Sequence, residues 1–152
     1  MVGIAPRPAT MAEKGKTIMS SDGNRMINRL EIDRLLRELY AARVRGDLDA
    51  VCRIFADDAK FQIAGPSHAT QVSAVSVGIA ELRPLLAVMI KTFKLSEHTI
   101  LSMIIDGAKA AVHWRANVHS RITGQRALTE LVDVVETRDG RIASYIEFFA
   151  SR

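Results

Sequence analysis

The chain has 152 residues, 48% of them hydrophobic, and a net charge of +4 at neutral pH. That length fits one domain with a substantial core, and no run of about 18 apolar residues offers a membrane-spanning helix. The excess charge is spread without a Lys/Arg cluster and aromatic residues make up 5% of the chain, which argues against a nucleic-acid-binding surface.

The first 25 residues, MVGIAPRPATMAEKGKTIMSSDGNR, mix Pro, Gly, Ser and charges without periodicity. They read as a disordered head without the apolar stretch of a secretory signal. The folded domain is expected from 26 to 152, and Met11, Met19 and Met26 are alternative starts. Ile32, Leu35, Leu36, Leu39 and Tyr40 recur at helical spacing, predicting a helix over about 26–45. Gly46 ends it and Asp47 caps a second helix over about 48–56, which buries Leu48, Val51, Cys52 and Phe55. Cys52 is the sole cysteine, so no intrachain disulfide forms. It reads as a small core residue, and a reducing cytoplasm fits. Asp57 and Asp58 follow, expected to terminate the helix and hydrogen-bond a turn. Ala59, Phe61 and Ile63 then alternate with Lys60 and Gln62 as a strand.

The segment GPSHATQVSAVSVG is small and polar, and reads as a long loop. Its His68 is placed to act as an acid or base over a pocket, or simply to be solvated. A third helix is expected over about 79–94, with Leu82, Leu85, Leu86, Met89, Ile90 and Phe93 on one stripe and Pro84 in its first turn or at a kink. Four strands follow, over about 98–106, 109–122, 127–136 and 141–150, two of the joints being Asp-Gly. Helices first and an antiparallel meander after give an α+β layer architecture.

Two faces are legible on the second of these four strands. Val112, Trp114, Ala116 and Val118 form an apolar face, while His113, Arg115, Asn117 and His119 form a polar one. His113 and His119 have no third ligand at metal-binding spacing, so no metal site is expected. His98, at the start of its strand, is expected at the surface. No GxGxxG or Walker loop occurs, so no cofactor is expected. In ELVDVVETRDGRI, Asp133 sits among Leu131, Val132, Val134 and Val135. Both faces of that strand are partly apolar, so alternation alone leaves open which one is inward.

GDLDAVCRIFADDAKF (46–61), HTILSMIIDGAKAAVHWR (98–115) and LVDVVETRDGRI (131–142) together resemble the nuclear transport factor 2-like superfamily. That group includes ketosteroid isomerase and the SnoaL-like polyketide cyclases. The resemblance spans about 27–150 and implies a cone: three N-terminal helices packed on a strongly curved, mixed, mainly antiparallel sheet around an apolar pocket. It implies a homodimer through the outer sheet face and a small apolar molecule as ligand. It turns Asp133 inward, where ketosteroid isomerase carries a neutral, hydrogen-bond-donating aspartic acid. The alternative is a structural carboxyl satisfied by nearby donors. Glu147 and Tyr145 fall on the same wall, giving Asp133, Glu147 and Tyr145 as candidate catalytic residues. Trp114, Ala116, Val118, Leu131, Phe149, Tyr40 and Ile63 are the candidate substrate-binding residues. Tyr40 lies one position beyond the isomerase's oxyanion tyrosine, and Ile63 stands where that enzyme carries its proton-shuttling aspartate. The function implied is acid–base isomerisation or cyclisation of an apolar carbonyl compound; the alternative is a ligand-binding or dimerisation module of the same fold without catalysis.

Overall fold

Helix α1 (Ser21–Arg45) begins where the Ser20 side chain accepts the Gly23 N–H, five residues before the expected start. It ends at Gly46, whose φ of 70° is the left-handed conformation that closes helices. Asp47 then caps α2 (Leu48–Ile54) by accepting the Ala50 N–H at 3.0 Å. This computed structural model describes residues 3, 5, 20–65 and 75–149. His68 and most of the head therefore lie outside the described residues.

The remaining elements are β1 (Phe55–Ala64), β2 (Val75–Val77), α3 (Ile79–Thr92), β3 (Phe93–Asp106), β4 (Lys109–Ser120), β5 (Arg126–Arg138) and β6 (Arg141–Phe149). They form an open mixed sheet in the order β2-β1-β6-β5-β4-β3, with the three helices packed on it, the α+β cone expected. The β1–β6 pair is parallel and the other pairs are antiparallel. Ile32, Leu36, Leu39 and Tyr40 of α1 and Leu82 and Leu86 of α3 bury against Phe61, Val112, Trp114, Val135 and Tyr145 of the sheet.

Four local expectations need correction. First, α2 stops at Ile54, and Asp57 and Asp58 belong to β1. They do not terminate a helix; they pair with Arg141, at 3.7 Å, and Arg138. Second, the long loop contains β2, three residues that pair with Lys60, Phe61 and Gln62. So short a strand leaves no alternation to detect. Third, β3 starts at Phe93, five residues early, because a register shift between Ser96 and Thr99 breaks its alternation. Glu97 there has a φ of 52°, and the extra residue turns His98 inward, off the surface where it was expected. Fourth, a shift between β5 and β6 near Glu136 and Thr137 buries Ile142 fully and leaves Ala143 half-buried, although the period of two that puts Tyr145 and Glu147 on the inner wall predicts Ala143 there and Ile142 on the other face.

Candidate active site

The inner faces of β4, β5 and β6 carry the chemistry. Their register aligns Trp114 with Leu131, and Asp133 with Glu147. Alternation then places Trp114, Asp133, Tyr145 and Glu147 on the buried side together. Helix α1 supplies Tyr40 and Arg43 from the stripe that already holds Leu36 and Leu39.

Asp133 is fully buried. Its Oδ2 accepts three hydrogen bonds, from the Tyr40 hydroxyl at 2.6 Å, from the Trp114 indole N–H at 2.6 Å and from the Tyr145 hydroxyl. Its Oδ1 has no partner among the described residues. Burial pushes the Asp133 carboxyl up from 3.8 to about 7, and the Glu147 charge adds to the rise; Arg43 and the two phenol hydrogen bonds oppose it. Burial, reinforced by Asp133, also raises both phenols well above their ordinary range, so they stay neutral donors.

The network continues outward. Arg43 donates from Nη1 to the Tyr145 hydroxyl at 3.2 Å and to Glu147 Oε1 at 2.8 Å. Its guanidinium also lies over the Trp114 ring, 5.5 Å from the centroid. A continuous path therefore runs Glu147, Arg43, Tyr145, Asp133, with Tyr40 and Trp114 as side supports. The His98 ring stacks on Tyr40 at 4.8 Å and lies 5.0 Å from the Trp114 ring, with its Nε2 buried and unpartnered among the described residues. Burial, helped by the Arg43 charge, holds that imidazole below its ordinary pKa.

A cavity of about 430 Å³ opens beside this network. Helix α3 and the start of β3 line it with Leu85, Leu86, Val88, Met89, Phe93 and Leu95. The sheet contributes Ile63, Trp114, Val118, Thr129, Leu131, Glu147 and Phe149, and α1 contributes Arg43. Of the residues singled out from the sequence, Ile63, Trp114, Val118, Leu131, Phe149 and Glu147 line the cavity. Asp133, Tyr145, Tyr40 and Ala116 do not: they lie in the fully packed layer behind its wall. Asp133 is thus joined to the cavity wall through Trp114 directly and through Tyr145 and Arg43. Tyr40, one position off the family alignment, still reaches Asp133 because α1 places it above β5.

Arg43 was not anticipated. The available signal was an arginine at position 43 continuing the stripe of Ile32, Leu36, Leu39 and Tyr40, where a solvated helix face was not expected. Among the described residues no group of three or more His, Cys, Asp or Glu is arranged to hold a metal ion. His113 and His119 lie on the outer face, and His113 Nε2 is 3.0 Å from Glu130 Oε2.

The family model of the SnoaL-like domain matches residues 36–145. No curated protein matches the chain in sequence. Solved structures with the same fold include a protein from Bacillus subtilis described as a candidate isomerase, 21% identical, with a TM-score of 0.71 and coverage of 80% of this chain and 88% of that one. An LEH-like epoxide hydrolase from M. tuberculosis is 21% identical, with a TM-score of 0.62 and coverage of 79% and 83%. A candidate polyketide cyclase from Xanthomonas campestris is 19% identical, with a TM-score of 0.64 and coverage of 80% and 91%. At these identities the likeness is one of fold. With the match covering most of the helices and sheet that build the cavity, the chain belongs to the SnoaL-like domain family.

Proposed function

We propose that this protein binds a small apolar carbonyl compound in the 430 Å³ cavity and moves a proton on it, as an isomerase or cyclase needing no cofactor. The observation that carries this reading is the wall itself. Among the described residues it is apolar except for Thr92, Thr129 and one ion pair, Arg43–Glu147, whose side chains are 11% and 5% exposed. Glu147 is the catalytic base in this reading. Arg43 engages its Oε1, so the other carboxylate oxygen takes a proton from the carbon beside the carbonyl. The electron pair moves onto the carbonyl oxygen, where the remaining Arg43 N–H groups stabilise the enolate. Return of the proton to a conjugated carbon completes an isomerisation, and return to the original carbon gives only proton exchange. Tyr145 and Asp133 are positioning residues: they hold Arg43 and Trp114 from behind and do not touch the ligand. Ile63, the register partner of Glu147 on β1, brings no second carboxylate beside it, so in this reading Glu147 both takes and returns the proton.

Exchange of α-protons for deuterium tests this. Cyclic and open-chain ketones that bind should lose their α-proton NMR signals in D₂O faster with wild type than with buffer. Glu147→Gln should reduce that acceleration by about 10²-fold or more. Ketones that bind but show no accelerated exchange would leave a binding module, the reading favoured by Arg43 already neutralising Glu147.

Two copies are proposed to pair through the outer sheet face, where Val132, Val134 and Phe148 are exposed although the residues alternating with them are buried.

A further inference from the structure

Exposure orders the cavity from mouth to floor. Val88 is 61% exposed and Phe93 44%, whereas Trp114 is 1% exposed and Glu147 4%. The mouth is therefore apolar, and the only charged side chains on the wall among the described residues, Arg43 and Glu147, sit at the deep end. They touch at 2.8 Å, and Arg43 is also held by the Tyr145 hydroxyl and by the Trp114 face. An apolar entrance with a polar floor orients a ligand: its hydrogen-bonding end goes in first and its hydrocarbon stays toward the mouth.

The floor also has a charge rule. A lone arginine in such a cavity would be a strong carboxylate site, because its forked donors match two oxygens. Here Glu147 is built in as that carboxylate. A ligand anion entering the floor must either displace Glu147, stranding it in an apolar wall, or sit beside it as a like charge; a ligand cation meets Arg43 in the same way. A neutral carbonyl meets neither penalty and takes hydrogen bonds from the Arg43 N–H groups that Glu147 does not use.

We infer that Glu147 masks Arg43 and so makes the cavity selective for neutral ligands with one polar end, rejecting carboxylates and ammonium ions of the same hydrocarbon length. This rests on the proposal that the cavity is a ligand site. The experiment compares 2-octanone, octanoate and octylammonium against wild-type protein by displacement of a bound hydrophobic fluorophore at neutral pH. The ketone should bind at least about 30-fold more tightly than either ion, the ions being penalised by an unpaired buried charge. In Glu147→Gln the unmasked Arg43 should reverse the order for the anion, octanoate becoming the tightest of the three.

Either ion binding wild type within about 3-fold of the ketone would overturn the inference and leave the ligand site standing. Failure of all three probes, with the fluorophore bound outside the cavity, would instead overturn the ligand site and this inference with it. Should Glu147→Gln not fold, the wild-type comparison still decides.

Discussion

Asp133 concentrates the structural stakes at single-residue scale. Tyr40, Trp114 and Tyr145 spend their donors on one oxygen of a fully buried carboxyl, and its other oxygen has no partner among the described residues. Replacing Asp133 with Leu strands three buried donors at about 1–3 kcal/mol each, a loss comparable with the ~5–15 kcal/mol that holds a domain together. Asp133→Asn keeps an acceptor for the three donors and puts its amide nitrogen where nothing is bonded. Its loss should be only about 1–2 kcal/mol in a urea titration. Equal losses in the two variants would contradict the three-donor geometry. The pH dependence follows from the same group. In the folded state the carboxyl keeps its proton up to about 7, against 3.8 ordinarily. Between those values the folded protein binds more protons than the unfolded chain, so this group's contribution to stability falls as pH rises through the window. The stability of wild type relative to Asp133→Asn should therefore be greatest near pH 4 and decline toward neutrality; a constant difference would show that Asp133 does not titrate in this range. Period two on β5 showed which side chains share Asp133's face, but not that the face is inward. Its hydrogen-bond partners come from α1, β4 and β6, and no local pattern encodes those contacts.

At the scale of elements, the end of β1 shapes the cavity wall. Gly65 follows β1, and a Cβ built there would collide with the Phe149 ring. Gly65→Ala must therefore push Phe149 from its place in the wall, at about 1–3 kcal/mol for overpacking, and reduce ligand affinity more than a helix-cap change does. Asp47→Ala is the control: it removes the α2 cap at a cost of about 1 kcal/mol and leaves the wall intact. Equal affinities in the two variants would contradict the close approach. Helices α1 and α3 were legible because their stripes are long, and β4 to β6 because their turns carry Asp-Gly, Thr-Gly or clean alternation. What stayed hidden were β2, too short for a period, and the bulges, which appear only when two strands are paired. The inward turn of His98 follows from such a bulge, so the sequence assigned it to the surface.

At the scale of the whole molecule, two apolar surfaces among the described residues have different prospects. One is the cavity; the other is the outer sheet face, where Val132, Val134 and Phe148 lie beside the His113–Glu130 contact. A dimer through that face predicts twice the chain mass in sedimentation equilibrium. Val132→Glu combined with Phe148→Glu should shift the population to monomer without unfolding it, since both side chains already meet solvent. A wild-type protein that is monomeric at micromolar concentration would dispose of the dimer while leaving the cavity unaffected. The fold at this scale was readable from the order of elements and the family resemblance. The deep ion pair was not, because Arg43 and Glu147 are 104 positions apart and meet only when α1 lies across β6.

Methyl NMR decides whether the cavity floored by Arg43 and Glu147 is a ligand site. Titration with 2-octanone should shift the methyl signals of Leu85, Leu86, Met89, Val118 and Leu131 together, with one saturating affinity, and leave Val132 and Val134 on the outer face unmoved. Shifts confined to the outer face, or none from any cavity methyl at saturating ketone, would contradict it.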